Sequence, residues 1–258
     1  MPLPFEAPSL GQYGSAIRAL PSLPAYAPEH LLTDSLRLYG DTELEMFYAP
    51  FESINRSARV AIVGITPGFQ QMEIAIRFAR ASLVSGGTNS EACIGAKAHA
   101  SFAGTMRVHL IAMLNGIGLR EELGIPDCGR LFDTFQFQLH TTSAIRYPVF
   151  VRGKNYTGHS PRPLRHSKLR EMVFTFLASE LAEVPDALIV PLGKAVDQSL
   201  LALISSGLLS PDRCLFGFPH PSGANGSRKR VFEQNRDMLK MKVGSWFGGR
   251  PRSHAKSL

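Results

Sequence analysis

The sequence predicts an α/β fold with a mostly parallel sheet, and three observations predict it. Short apolar, β-branched runs that end at Gly or Pro recur along the chain, as at Arg59 to Gly64 and Ala187 to Pro191, and read as buried strands. Longer stretches with apolar residues at helical spacing separate them, so strand and helix alternate. With 258 residues, 44% of them hydrophobic, the chain is long enough to bury one substantial core.

Residues 1 to 28 carry six prolines, a composition that resists helix and predicts an extended arm. His30 to Phe47 has helical character with a break at Gly40. The first strand, Arg59 to Gly64, leads through a Gly/Pro turn into a helix from Met72 to Val84. The Gly/Ser/Asn-rich run after it reads as a loop. Thr105 to Leu114 is helical by spacing, Phe135 to Ile145 alternates as a strand, and Arg152 to Pro163 is a long connection. Leu169 to Leu181 forms an amphipathic helix, Ala187 to Pro191 a strand, and Ala195 to Ile204 a helix. A fourth strand around Arg213 to Phe218 and a closing helix, Lys229 to Val243, complete the pattern. The expected organisation is an N-terminal Pro-rich arm and helical segment packed on the core (1–58), one α/β domain (59–247) and a basic, disordered tail (248–258).

Lys and Arg number 28 against 21 Asp and Glu, a formal net charge of +7 that favours a polyanionic partner such as DNA or RNA. Cys93, Cys128 and Cys214 lie too far apart in sequence to build a zinc pair, and they are too few for a four-cysteine iron–sulfur set. No metal and no cofactor are expected. The N-terminus lacks the charged and apolar regions of a signal peptide, and no run of about eighteen apolar residues occurs. A soluble, cytoplasmic protein without membrane contact follows as the expectation. The sequence specifies no oligomeric state, and a monomer is the default.

In an open α/β sheet, ligands settle beyond the carboxyl ends of strands, so the loops that follow strands hold the candidate chemistry. Two stand out. Gly64-Ile65-Thr66-Pro67-Gly68-Phe69 brings backbone close to an occupant of the cleft. Phe218-Pro219-His220-Pro221 is a rigid turn that opens into Ser222-Gly223-Ala224-Asn225-Gly226 and the basic run Arg228-Lys229-Arg230.

Together and in this order, the two loops resemble the signature motifs of the uracil-DNA glycosylase superfamily. Three segments between them also match. Ala100-Ser101-Phe102-Ala103-Gly104-Thr105, with Met113-Leu114 and Ile117-Gly118-Leu119, looks like the segment that supplies the aromatic stacking platform in the iron–sulfur class. Thr142-Ser143-Ala144-Ile145-Arg146, with Pro148 and Asn155, matches the strand and loop that read the target base. Leu188 to Ala195 resembles the family's strand-Gly-helix turn. The resemblance implies a three-layer α/β/α fold around a central four-stranded, mostly parallel sheet. It further implies a base-excision repair hydrolase that extrudes a damaged base from DNA and cleaves its N-glycosidic bond.

That reaction needs a stacking surface, hydrogen bonds to the base edge, a donor for the charge that develops on the departing base, and a group that orients water. By resemblance Phe102 stacks the base, His220 stabilises the leaving group, and Thr66 with the Gly64 to Gly68 backbone positions water. Gly64, Ile65, Pro67, Gly68, Phe69 and Ser143 complete the base site. Ser222, Gly223, Ala224, Asn225, Gly226, Arg228, Lys229 and Arg230 contact single- or double-stranded DNA.

The sequence departs from the family at several of these positions. Thr66 stands where several classes carry Asp or Asn, and Ile65 where the iron–sulfur class carries Glu. Ser143 stands where an Asn commonly reads uracil, and only Ala224 is available as a wedge. Glu73, the nearest acid downstream of the first loop, reads as a solvated surface side chain. A second basic group, from Arg162 to Arg170, reads equally as a solvated face or as a phosphate contact. The alternatives to a glycosylase are a catalytically silent nucleic-acid-binding protein with the same fold and an enzyme acting on free nucleosides.

Overall fold

The computed structural model describes residues 9–248, so the expected 249–258 portion of the tail and the first eight residues of the arm lie outside the described residues. In chain order the elements begin with α1 (Leu10–Ala19), α2 (Pro28–Leu31), β1 (Arg37–Gly40), β2 (Glu45–Phe47), β3 (Val60–Gly64), α3 (Phe69–Val84) and α4 (Asn89–Ala100). There follow α5 (Thr105–Gly116), α6 (Leu119–Leu123), β4 (Leu139–Ser143), β5 (Val149–Val151), β6 (Lys154–Asn155), α7 (Ser167–Glu171) and α8 (Ala178–Ala182). The chain closes with β7 (Leu188–Pro191), α9 (Lys194–Ser205) and α10 (Arg228–Gly248). Among the described residues two compact units result: one takes residues 9–53 with Thr66–Ala103 and Ile145–Leu169, the other Ile54–Ile65, Gly104–Ala144 and residues 170–248. Among the described residues no helix is long and apolar enough to cross a membrane.

The first unit holds an antiparallel sheet in the order β1-β2-β5-β6 and the helices α1 to α4. The arm is helical where extended chain was expected, because Leu10 to Leu20 contains no proline and Ser9 opens it with a capping box to Gln12. The expected helix from His30 to Phe47 is instead largely the β1–β2 hairpin. There Asp41 Oδ1 accepts the Glu43 and Leu44 N–H groups at 2.8 and 2.9 Å, an Asx turn that outcompetes helix. The run expected as a loop after Val84 contains Thr88, whose capping box with Glu91 starts α4. Gly95 of α4 lies so close to α3 that a Cβ would meet the Phe78 ring at 2.2 Å. The long connection after Arg152 begins as the β5–β6 hairpin.

The second unit is built on a parallel sheet in the order β4-β3-β7, with β3 buried along its whole length. Continuous burial explains the unbroken apolar run of its sequence. The expected fourth strand at Arg213 to Phe218 is a correction: it contributes a single parallel bridge, Cys214 to Ile189, with the Leu215 N–H donating to Ile189 O at 2.8 Å. A 3₁₀ turn at Pro211–Arg213 precedes that bridge, and Gly217 at φ 88° with Pro219, which has no N–H, ends pairing. The parallel sheet therefore has three strands. His140 of β4 and Glu180 of α8, each 1% exposed, meet at 2.9 Å as the polar pair of this core.

Candidate functional site

In the second unit, β3 precedes β4 and β7 in the chain and lies between them. The strand order thus reverses beside β3, the place where α/β sheets open a crevice at their carboxyl ends. The residues at that edge are Gly64, paired with Ser143, and the turn after Pro191. The Ala144 N–H donates to Gly64 O at 2.8 Å and the Leu192 N–H to Val63 O at 2.9 Å, so the register holds to the last residue. Ile65 follows, buried. Ser143 is half-buried, and its hydroxyl has no partner among the described residues.

Gly193 connects this edge to His220. Its φ of 91° suits glycine, and a Cβ there would lie 3.1 Å from the His220 Cβ. Its N–H donates to Phe218 O at 3.0 Å. The β7–α9 turn, which leads from the same edge, thereby seats the loop that carries His220.

The His220 ring has a defined polarity. Its Nδ1 accepts the Ser222 N–H at 3.2 Å, which leaves the proton of the neutral ring on Nε2, and Nε2 has no partner among the described residues. Burial lowers its pKa from the ordinary 6.5. At neutral pH the side chain is therefore a neutral N–H donor.

The loop after it is braced from three sides. Asn225 Nδ2 donates to His220 O at 3.0 Å, and Arg228 Nη1 donates to Pro221 O at 3.2 Å and to Ser222 O at 2.7 Å. His109, from α5, lies with Nδ1 3.0 Å from Pro221 O and must donate to it. The Ala224 N–H closes a small turn on Ser222 Oγ at 3.2 Å. Gly223, Ala224, Gly226, Lys229 and Arg230 are exposed. Sequence reasoning placed Arg228 with the phosphate contacts and passed over His109. A histidine inside a helical pattern gives no signal that its partner lies more than a hundred residues away.

In the first unit, Thr66 Oγ1 donates to Tyr147 O at 2.9 Å, so its hydroxyl can still accept a hydrogen bond from water but has no second hydrogen to donate. Pro67 is buried and Gly68 is the N-cap of α3. Because glycine has no capping side chain, Asn155 of β6 supplies it: its Oδ1 accepts the Phe69 N–H at 2.8 Å. Phe102, in the turn after α4, is 6% exposed and has φ 54°, a left-handed conformation that costs an aromatic residue on the order of 1 to 3 kcal/mol. Glu73 corrects the expectation of a solvated side chain. It is buried at 8% exposed, accepts Arg77 Nε at 2.7 Å and the Tyr26 N–H at 3.3 Å, and so is committed to holding the N-terminal segment.

The three cysteines are buried, and burial pushes each thiol up to about 12. Among the described residues no group of three or more His, Cys, Asp or Glu could hold a metal ion.

Two comparisons bear on this geometry. The family model described as the uracil DNA glycosylase superfamily matches residues 51–241, which include both loops and every strand of the parallel sheet. The chain is also 41% identical over 239 residues to the uncharacterized protein YoxB of Bacillus subtilis (strain 168), covering 92% of this chain and 93% of that one.

Proposed function

The chain belongs to the uracil-DNA glycosylase superfamily, and from that premise we propose that it is a DNA glycosylase that hydrolyses the N-glycosidic bond of uracil or another damaged base. The observation that carries the reading is His220, a neutral ring whose unpartnered Nε2–H belongs to the loop seated against Gly193, beyond the carboxyl edge of β7. A base leaving as an anion develops charge on its carbonyl oxygen, and a prepositioned donor stabilises that charge more in the transition state than in the ground state. Removing one such donor costs about 10²–10³ in rate.

The remaining roles follow the same requirement. Ser143 offers the base edge one hydroxyl where an amide would offer both a donor and an acceptor, so discrimination by the edge is weaker. Phe102 gives the base a ring to stack on. Thr66 and the Gly64 to Gly68 backbone orient the attacking water, with Ile65, Pro67, Gly68 and Phe69 bounding the base. Ser222 to Gly226, Lys229 and Arg230 meet the DNA strand; with only Ala224 to insert, extrusion from a duplex gets little help and single-stranded DNA is the easier substrate. In this reading the bridge at Cys214 marks the fourth strand of the family's three-layer arrangement.

The test incubates purified protein with single- and double-stranded oligonucleotides containing uracil, hypoxanthine or xanthine, beside the His220→Ala variant. Abasic product from at least one substrate, reduced at least a hundredfold in the variant, is expected. A specific observation favours a second reading: neither loop contains an Asp or Glu, the hydroxyl hydrogen of Thr66 is bonded to Tyr147 O, and Glu73, the nearest acid on α3, is paired with Arg77. A catalytically silent DNA-binding protein predicts salt-sensitive binding by both proteins and no abasic product from either.

A further inference from the structure

Between Asp133 and Glu171 the sequence holds seven Lys or Arg and no acidic residue. Where this run passes through the first unit it contributes Arg152, Lys154, Arg162 and Arg165, all exposed and none with an ion-pair partner among the described residues. Surface cations in a folded protein normally sit among acids of the opposite sign. Here the segment that bears them has none to offer.

Three structural observations show that this segment is held in place. Arg152 and Gly153, the two residues between β5 and β6, both have positive φ (49° and 71°), the pattern of a tight I′ turn. Asn or Gly is the ordinary occupant of the first of these positions, and an arginine there costs backbone energy that no contact within the described fold repays. Beyond β6, the Tyr156 hydroxyl donates to Pro161 O at 2.5 Å, folding the connection back on itself just before Arg162. His166 Nε2 then meets Asp41 Oδ2 at 2.9 Å, anchoring the far end to the β1–β2 turn. Arg152 shares a shallow concavity with Asp41, Glu43 and Glu45, yet it pairs with none of them: Asp41 bonds His166 and Tyr39, Glu43 lies 3.8 Å from His166, and Glu45 pairs with Arg37.

The segment also reaches the first signature loop, because Asn155, next to Lys154 on β6, caps α3 at Phe69. Side chains alternate along a strand, so Lys154 lies on the opposite face from that cap.

From these observations we infer that Arg152, Lys154, Arg162 and Arg165 form a second DNA-binding surface, which takes backbone phosphates of the strand whose damaged base the protein excises. Its residues are other than those of the Ser222 to Gly226 loop and the basic start of α10. It recognises phosphate spacing and charge, not base identity. The inference rests on the glycosylase reading for the nature of the strand. The electrostatics apply to any single-stranded or duplex DNA.

The experiment measures binding of the full chain to a fluorescent 20-nucleotide single strand across a salt series, and base release from the same strand carrying uracil. It compares wild type with Arg152→Gln/Lys154→Gln and with Arg162→Gln/Arg165→Gln. Each phosphate contact contributes about 0.7 to the slope of log affinity against log salt for single strands. Each double variant is therefore expected to lower the slope by about 1 to 1.5 and weaken binding roughly tenfold or more near 0.1 M salt, with its thermal midpoint unchanged. Wild-type slope and affinity in both variants would overturn the surface, as would an equal loss from Arg18→Gln/Arg56→Gln, two exposed arginines elsewhere on the chain. If wild type releases no base while the slopes fall as expected, the surface stands and the glycosylase reading fails. If wild type does not bind the strand, both fall.

Discussion

Asp197 lies in the first turn of α9, where the helix dipole favours a carboxylate, yet burial dominates. Its Oδ1 is buried without a partner, and although the Gly217 N–H bonds the carboxylate, its pKa is pushed from 3.8 up to about 6. In the unfolded chain an aspartate titrates near 3.9. The folded state thus holds its proton more tightly, and stability from this group is full below about pH 4 and lost as pH rises to about 6. Asp197→Asn removes the charge and keeps a carbonyl acceptor for Gly217. The variant is expected to match wild type near pH 4 and to exceed it by about 1 to 2 kcal/mol above pH 7, the shift discounted for partial solvent screening. Urea unfolding of both proteins at pH 4, 5.5 and 7.5 checks this; a constant difference across that range would show that the charge is not the cause. Gly217, which bonds this carboxylate, lies three residues before His220 in the chain.

Among the elements, α10 has a feature that stability does not explain. Arg228, Lys229 and Arg230 occupy its first turn, and no acid accompanies them, although the positive end of a 21-residue helix favours Asp or Glu. Arg228 is accounted for by the carbonyls it holds, while Lys229 and Arg230 are exposed. Arg230→Glu is expected to raise stability by about 0.3–1 kcal/mol and to weaken DNA binding severalfold at low salt, a trade visible by comparing thermal midpoints with oligonucleotide titrations. A variant that gains no stability, or that binds DNA as tightly as wild type, would contradict it.

Which elements were legible follows from similar physics. The strands β3 and β7, buried on both faces, announce themselves as unbroken apolar runs, and α3, α5 and α9 carry long periodic patterns. The β1–β2 hairpin was not legible because strands of four and three residues are too short to display alternation, and their apolar residues happen to fall at helical spacing. The buried face of α4 is mostly small, with Ala92, Cys93, Ala96 and Ala100, and Gly95 lies close against α3, so the helix lacks the large side chains that mark an apolar face. Its capping box at Thr88 and Glu91 was the available signal. At the candidate site, the positions of Gly64, Ser143 and His220 followed from motif order. The hydrogen bonds that hold the two loops, Asn155 to Phe69 and His109 and Arg228 to the carbonyls after His220, join side chains to backbone groups in a way that periodicity does not encode.

For the whole molecule, chain continuity and compactness do not coincide. Each unit gathers three separate segments, and the chain passes between them after Ser53, Ile65, Ala103, Ala144 and Leu169. The superfamily match begins at residue 51, yet β1 and β2, half of the antiparallel sheet, lie before it. Without them the sheet reduces to the β5–β6 hairpin, and an isolated two-stranded hairpin is marginal in water. Glu73 would also lose the N–H group of Tyr26, and the Leu10–Glu52 hydrogen bond and the stacked Tyr13–Tyr48 rings would go with the removed segment. A chain shortened to begin at residue 59 keeps the parallel sheet and both signature loops, but it discards the packing that holds α3, and with α3 the end of the first loop. Such a chain is expected to lose the cooperative thermal transition of the full protein and to bind the dye ANS, as exposed apolar surface would. Circular dichroism melting and ANS fluorescence of the shortened and full-length proteins distinguish the outcomes. A sharp transition without dye binding would mean that the first 58 residues are an accessory arm, whereas its loss would make them part of the fold that carries the site.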